Sequence, residues 1–323
     1  MRLVKDICFC CAGLLAVLAC EKKTVPDYDS EDAVKLRAYY SSDPQSYSFV
    51  NTLLDPKTGN VQSEGGSRAV SEFNDDGTVA KTTYYLSDGD SYVDVLSYGP
   101  RIKELHREYS YSSTKQYSIY HYLDEERRMV KEERHEMLMG EDLLDAKRTI
   151  VDEWEREWAD GLETKVLHYY SVDSEFDNYR QGRYLKQLQE FVHETQGNSL
   201  KTSARYVNYQ NDGSVLREWT VNRETVYLDK NRDLAEKVTE TEGDKSTVLV
   251  TRYTPEGLPS YSEKQENGSI VFKESVSYDD NKKTVTQRYY TGEGLLYRTQ
   301  VTDYVYRGHV SYHFARDVET TDQ

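Results

Sequence analysis

Residues 260–278 read SYSEKQENGSIVFKESVSY, and this stretch decides the fold class. At its centre, Asn267-Gly268 is the strongest short hairpin signal in the chain. Asn and Gly both tolerate the positive φ that a tight turn between twisted strands requires. The residues leaving the turn alternate. Ile270, Phe272, Val276 and Tyr278 share one face, and Lys273, Ser275 and Ser277 the other. Val271 and Glu274 interrupt the pattern. A turn of this kind between alternating runs predicts an antiparallel β-hairpin.

Working outward, one unit keeps returning. A run of β-formers ends in Tyr or Phe, a short Asp/Asn/Gly turn follows, and a second run leaves it. Instances are Phe73-Asn74-Asp75-Asp76-Gly77-Thr78-Val79 and Tyr209-Gln210-Asn211-Asp212-Gly213-Ser214-Val215. Tyr253-Thr254-Pro255-Glu256-Gly257-Leu258 and Tyr290-Thr291-Gly292-Glu293-Gly294-Leu295 are two more. Versions without the glycine begin at Tyr122, Tyr227 and Tyr278. The turns recur irregularly, roughly every 20–30 residues per full unit, as in a β-repeat architecture without a strict period.

One region carries a competing signal. Asp124–Met139 and Asp142–Trp158 are rich in Glu, Lys, Arg, Leu and Met, the strong helix formers. Yet Asp124 follows Tyr120-His121-Tyr122 as the other turns follow their tyrosines. Residues 149–158, Ala159-Asp160-Gly161 and residues 162–172 also read as one long hairpin. Strands are the favoured reading. A turn or two of helix is expected around Ser30–Tyr39.

The N-terminus carries an address. Met1-Arg2-Leu3-Val4-Lys5 is basic, and an apolar run from Ile7 to Ala19 follows, too short to span a bilayer comfortably. It ends in Val17-Leu18-Ala19-Cys20. This form resembles a lipobox, in which a small residue precedes the cysteine that receives the lipid. Residues 1–19 therefore read as a lipoprotein signal peptide. Residues 20–45 read as lipid attachment and a flexible tether, with Pro26, Pro44 and no sustained period. Residues 46–323 read as an antiparallel β domain. Cys8, Cys10, Cys11 and Cys20 are all the cysteines present. Cleavage before Cys20 would leave a folded part with no disulfide and no thiolate metal site.

Composition narrows the partners. The chain carries 41 Lys+Arg against 57 Asp+Glu, a formal net charge of −16. That sign repels nucleic-acid backbones and anionic lipid surfaces, so nucleic acid is set aside. The 29 Tyr argue for order, because disordered chains are poor in aromatics. A chain rich in Tyr, Thr and charge suits half-exposed strands.

The Tyr, Asp/Asn-turn, Gly, Leu/Val unit resembles the YD (Rhs-type) repeat and the related MORN-like β-repeats. It is clearest between Tyr206 and Tyr306 and weaker from Ser67 to Tyr122. Together with the lipobox and the acidic body, it resembles lipoproteins of Bacteroidetes. The resemblance implies an all-β, elongated or curved antiparallel β-meander of repeated hairpins behind a lipidated tether. The lack of Asp directly after Cys20 implies the outer membrane. The resemblance implies no reaction, since fold alone does not assign function.

The residues offer little catalytic chemistry. His135-Glu136 and His193-Glu194 begin a zinc-protease pattern, but Met139 and Gly197 stand where the second His is needed. His309 and His313 on one strand face would be about 13 Å apart at ~3.3 Å per residue, too far to share a metal. No nucleophile elbow, phosphate-cradling loop or dinucleotide fingerprint is present. Asn74-Asp75-Asp76 and Asp279-Asp280-Asn281 read as polar turns rather than Ca²⁺ ligands. Glu153, Glu155 and Glu157 read as a solvated face. No catalytic, cofactor or metal residue is assigned. Trp154 and Trp158 fall on one strand face and are the candidate ligand-stacking residues. The expectation is a non-enzymatic, membrane-tethered binding or envelope scaffold with a glycan or protein partner. A glycan-binding accessory lipoprotein and a carboxylate-based hydrolase are the rival readings.

Overall fold

The structure is a computed structural model that describes residues 26–99, 102–109, 117–138, 148–172 and 182–307. Residues 1–19, read above as a signal peptide, and Cys20, His309 and His313 lie outside the described residues.

Among the described residues one helix, α1 (Glu31–Ser41), precedes the strands. The Ser30 hydroxyl caps it by accepting from Ala33 N–H at 3.3 Å. Glu31 and Asp32 sit in its first turn, where acidic side chains complement the helix dipole. Ala33, Leu36, Tyr39 and Tyr40 are its buried residues. Pro44 follows shortly after the helix ends.

Eighteen strands follow among the described residues. The first six are β1 (Ser46–Leu54), β2 (Val61–Phe73), β3 (Val79–Tyr85), β4 (Ser91–Tyr98), β5 (Ile102–Tyr109) and β6 (Tyr117–Leu123). Next come β7 (Met129–Leu138), β8 (Arg148–Ala159), β9 (Leu162–Val172), β10 (Gly182–Gln196), β11 (Ser199–Tyr209) and β12 (Val215–Tyr227). The last are β13 (Ala235–Glu242), β14 (Lys245–Tyr253), β15 (Pro259–Glu266), β16 (Ser269–Asp279), β17 (Lys282–Tyr290) and β18 (Leu296–Val305).

Each strand pairs antiparallel with its sequence neighbours, and β1 supplies the closing seam. It pairs with β2 from Ser46↔Val70 to Leu54↔Val61. It also pairs with β18 from Ser46↔Val305 to Leu53↔Arg298. The sheet is therefore a closed 18-strand barrel. This corrects the expected open, elongated or curved meander and the YD or MORN-like repeat reading that implied it. The recurring unit is a local hairpin signal. Closure depends on one pairing between the two ends of the domain, which no hairpin encodes. Closing the sheet also removes both exposed edges.

The helix-prone region forms β7 and β8. Propensity is overridden by cross-strand pairing. Lys131 on β7 reaches Glu133 at 2.7 Å and Glu153 on β8 at 3.3 Å.

The recurring turns share one hydrogen-bond scheme. Asn74 N–H donates to Thr78 O at 2.8 Å, and Gly77 N–H donates to Asn74 O at 3.0 Å. The same pair of bonds recurs at 210–214, 254–258 and 291–295. The fourth residue lies in the left-handed region, as at Gly257 with φ +82°, which explains the glycine. In the turn after β6, Arg127 takes that conformation at φ 62°.

The strand-end aromatics act as pegs. Tyr98 Oη donates to Val79 O (3.0 Å), Tyr253 Oη to Ala235 O (3.0 Å) and Tyr278 Oη to Pro259 O (2.9 Å). Trp158 Nε1 donates to Met129 O at 3.1 Å. In each case a ring at the end of one strand ties down the first residue of the strand before it. All four pegs lie at the rim where β1 begins and β18 ends.

Register sorts the side chains onto two faces. One carries Tyr47, Tyr84, Asp94, Trp154, Tyr206 and Tyr289, and most of the buried strand side chains lie on it, including Ala69, Thr82, Val166, Leu200 and Thr302, while Val207 and Glu153 are buried on the other. We assign it as the inner wall, because curvature crowds side chains on the concave side of a barrel. α1 packs on that face at the rim. Tyr40 contacts the rings of Tyr278 (4.7 Å) and Tyr306 (5.4 Å). Tyr306 Oη donates to Tyr40 O at 2.9 Å.

Candidate ligand-binding lumen

A belt of tyrosines crosses the inner wall. Register aligns Tyr304, Tyr47, Ala69, Tyr84 and Tyr92 in one row. Ala69 is small and buried, so rings two strands apart meet over it. Tyr47 and Tyr84 are 6.3 Å apart, and Tyr84 stacks on Tyr92 at 4.4 Å and 18°. Burial, then the neighbouring Tyr92 and Tyr304, pushes the Tyr47 hydroxyl up to about 12. Burial likewise raises Tyr84.

Beside the belt lies a buried ion pair. Asp94 is 2 % exposed. It accepts from Arg107 Nε at 2.7 Å and from the terminal guanidinium nitrogen at 2.9 Å. The Arg107 guanidinium also stands 4.4 Å from the Tyr92 ring centre. A bidentate pair with a ring beneath it is held in one geometry.

Trp154 and Trp158 both point into the lumen. Trp154 is sandwiched between cross-strand neighbours. The His168 ring stacks on one side at 4.4 Å and 8°, and the Arg134 guanidinium stands 4.7 Å from the indole centre. His168 Nε2 is 2.9 Å from Asp152 Oδ1. Trp219 repeats the arrangement with Tyr206 (5.1 Å, 11°) and Arg217 (4.5 Å). The sequence reading singled out Trp154 and Trp158 but missed their partners, because partners lie on neighbouring strands. What Trp154 and Trp219 offer the lumen is an edge, their faces being covered.

The remaining candidates lie apart. His193 Nε2 is 2.7 Å from Glu163 O, and its Nδ1 is 3.0 Å from Thr202 Oγ1. His135 Nε2 is 3.2 Å from Glu133. The Asp76 carboxylate accepts from its own turn, at Thr78 N–H and Thr78 Oγ1. Glu153, Glu155 and Glu157 share the outer face, where Arg183 binds Glu153 (2.9 Å) and Glu155 (2.8 Å). Among the described residues, no three His, Cys, Asp or Glu side chains group to hold a metal. Every carboxylate with a resolved shift is shifted downward. Burial pushes Glu153 up, but hydrogen bonds from Arg183 and the charge of Lys131 leave it lowered. Lowered carboxylates suit ion pairing; a general acid needs the opposite shift.

The chain is similar to porin-like proteins. A porin-like protein from Bacteroides uniformis aligns over 81% of this chain and 96% of its own, at 7% identity and a TM-score of 0.41. A second, from Bacteroides vulgatus, aligns over 80% and 97%, at 13% identity and a TM-score of 0.33. A triple mutant of the Rhodopseudomonas blastica porin aligns over 80% and 97%, at 5% identity and a TM-score of 0.34. No family model and no curated protein matches the chain. At these scores the likeness carries no functional argument, and the barrel rests on its own strand pairing. No helix among the described residues is long and apolar enough to cross a membrane, which says nothing about strands.

Proposed function

We propose that this protein is an exported envelope barrel, tethered to the outer membrane by a lipid on Cys20, which stands in water and binds a polar partner in its lumen. The observation that carries this reading is the chemistry of the outer wall. A membrane-spanning barrel presents lipid with an apolar band about 25 Å tall, and each Arg or Lys at mid-depth costs ~2–4 kcal/mol. Here Arg205, near the middle of β11, pairs on the outer wall with Glu190 at 2.6 Å and Glu218 at 2.8 Å. Lys131, Glu133, Glu153 and Arg183 form a second charged cluster there. Lys273 and Glu263 add a third pair at 3.8 Å. Such charges, distributed around the circumference, oppose insertion far more strongly than single valines such as Val192 favour it.

The lipid would then supply the membrane attachment that the strands do not. Cys20 lies ten residues before Ser30, a reach of at most about 35 Å when fully extended. That places the rim bearing α1 toward the membrane and the opposite rim away from it. The lumen supports a binding role over a catalytic one. Its rings are held in fixed positions, Trp154 by stacking on His168 and Trp158 by its hydrogen bond to Met129 O, and its acids are partnered, Asp94 by Arg107 and Asp152 by His168.

The test compares the full chain with a version starting at residue 21. Metabolic labelling with a fatty acid should mark the full chain and not Cys20→Ser. The version lacking the anchor should stay monodisperse without detergent and ignore lipid vesicles. A truncated chain that precipitates unless detergent is present, then inserts and conducts ions, would replace the tethered barrel with a spanning one.

A further inference from the structure

We propose that the rim opposite α1 carries a binding cleft for a neutral oligosaccharide, built on Phe272, Tyr289 and Tyr297. This rests on the reading of the lumen as a binding surface, and it places the site away from Trp154 and Trp158. The cleft is ≈ 830 Å³, and Lys264, Glu266, Phe272, Tyr289 and Tyr297 are among its lining residues. That volume lies within the usual range for small-ligand sites.

The aromatic wall is stepped rather than flat. Phe272 and Tyr289 are 5.1 Å apart at 58°, and Tyr289 and Tyr297 are 6.5 Å apart at 51°. Tyr297 is 37% exposed. Successive tilted rings suit successive sugar units, each offering its C–H face to one ring. In contrast to Trp154, this wall opens onto a cleft large enough for a ligand.

The polar groups around the wall are fixed. Arg298 lies over Tyr289, 4.9 Å from the ring centre. Its Nε donates to Asn51 Oδ1 at 2.6 Å, and a terminal nitrogen donates to Gln300 Oε1 at 3.0 Å. Two amides therefore orient this guanidinium. Tyr289 Oη donates to Gln287 Oε1 at 2.9 Å. Lys264 is paired with Glu266 at 2.8 Å. Oriented amides and a guanidinium beside stacked rings are suited to hydroxyl groups. Lys264 and Glu266 offset each other, Arg298 adds a single positive charge, and the chain's net charge of −16 repels a polyanionic ligand at long range. The charge pattern therefore selects a neutral sugar chain over a uronate.

The experiment is calorimetric titration of the full, lipid-anchored chain in detergent. The probes are neutral hexose and pentose oligomers, and a uronic-acid oligomer of matched length. The expected result is saturable binding of at least one neutral oligomer. Tyr289→Ala should weaken it about tenfold, and the rim variant Tyr297→Ala severalfold, while Arg205→Ala on the outer wall binds as the parent does. Tyr297→Ala serves if Tyr289→Ala does not fold, because its exposed ring makes little structural contribution. Absence of neutral-sugar binding by the folded chain overturns the proposal. So does binding that survives both variants, or preference for the uronate. The anchor proposal fails separately, through detergent dependence and vesicle insertion, neither of which alters this titration.

Discussion

The inner and outer walls of this barrel use the same residue types in opposite ways. On the inner wall, Asp94 is buried, gripped at both oxygens by Arg107, and set beside a stacked tyrosine row. On the outer wall, Arg205 bridges Glu190 and Glu218 in the open. Both are ion pairs between neighbouring strands. The difference lies in the solvent. A buried charge that loses its partner has nowhere to turn, whereas an exposed one is rehydrated. The inner wall is therefore where sequence changes register in stability, and the outer wall, in the tethered barrel proposed above, is where they are tolerated.

The sharpest way to break this comparison is Asp94→Ala. It removes the carboxylate that grips Arg107 at two nitrogens beside the aromatic row, and losing one member of a buried pair costs ~3–5 kcal/mol. Arg107 is partly open to the lumen, so the lower end, about 3 kcal/mol, is expected. Denaturant titration of variant and parent measures it. A loss no larger than that of an outer-wall variant would show that the lumen solvates its charges as water does.

Gly66→Ala tests whether the outer wall is tolerant everywhere. A Cβ at Gly66 would lie 2.5 Å from Phe49 O, on the backbone of the closing strand β1. Relieving that contact means prising apart the β1–β2 seam, with an overpacking cost of about 1–3 kcal/mol. Gly65→Ala meets nothing within 4 Å and is the internal control. Equal thermal midpoints for the two variants would place the seam's stability elsewhere.

The hairpins were legible because their signals are local. Asn267-Gly268, Asp160-Gly161 and the glycine-bearing turns each fix two strands without reference to the rest of the chain. Closure was not legible. Ser46 meets Val305 across the whole domain, and nothing in either strand's sequence names the other. The lumen's contents were half legible for a subtler reason. Counting back from the Asp160-Gly161 turn pairs Ala159 with Leu162 and Trp158 with Glu163, and continued evenly it sets Trp154 opposite Leu167. A bulge between Glu157 and Trp158 shifts the register, and Trp154 meets His168 instead. One extra residue changes which side chain stands opposite. The indole was visible in the sequence, but its stacking partner was hidden by a backbone irregularity.

Acid should expose a smaller difference. Burial raises Glu153, but Arg183 and Lys131 leave its pKa lowered. The Thr284 hydroxyl lowers Asp303 against burial, with help from Lys282. A lowered folded pKa contributes stability that is complete above the ordinary carboxylate value of ~4 and is lost as pH falls through the folded value. The chain should therefore hold its midpoint down to about pH 4 and lose stability below it. Arg183→Ala brings the Glu153 pKa back toward the ordinary value, so it should shrink the acid-dependent loss and leave a shallower acid limb. An unchanged acid limb in this variant would mean that Glu153 is held by Lys131 alone.

The smallest effect should come from Arg205→Ala. Its two partners, Glu190 and Glu218, are open to solvent, and removing the guanidinium leaves both carboxylates free to hydrate. Their mutual repulsion is screened by salt over about 10 Å at 0.1 M. The thermal midpoint should be indistinguishable from the parent's at moderate ionic strength and fall slightly at low ionic strength. This near-null outcome separates a wall that faces water from one that faces lipid. In hydrocarbon, two carboxylates deprived of Arg205 could not remain charged, and the variant would fail to fold. A salt-dependent, marginal shift instead requires water at the middle of β11, where a spanning barrel would place lipid.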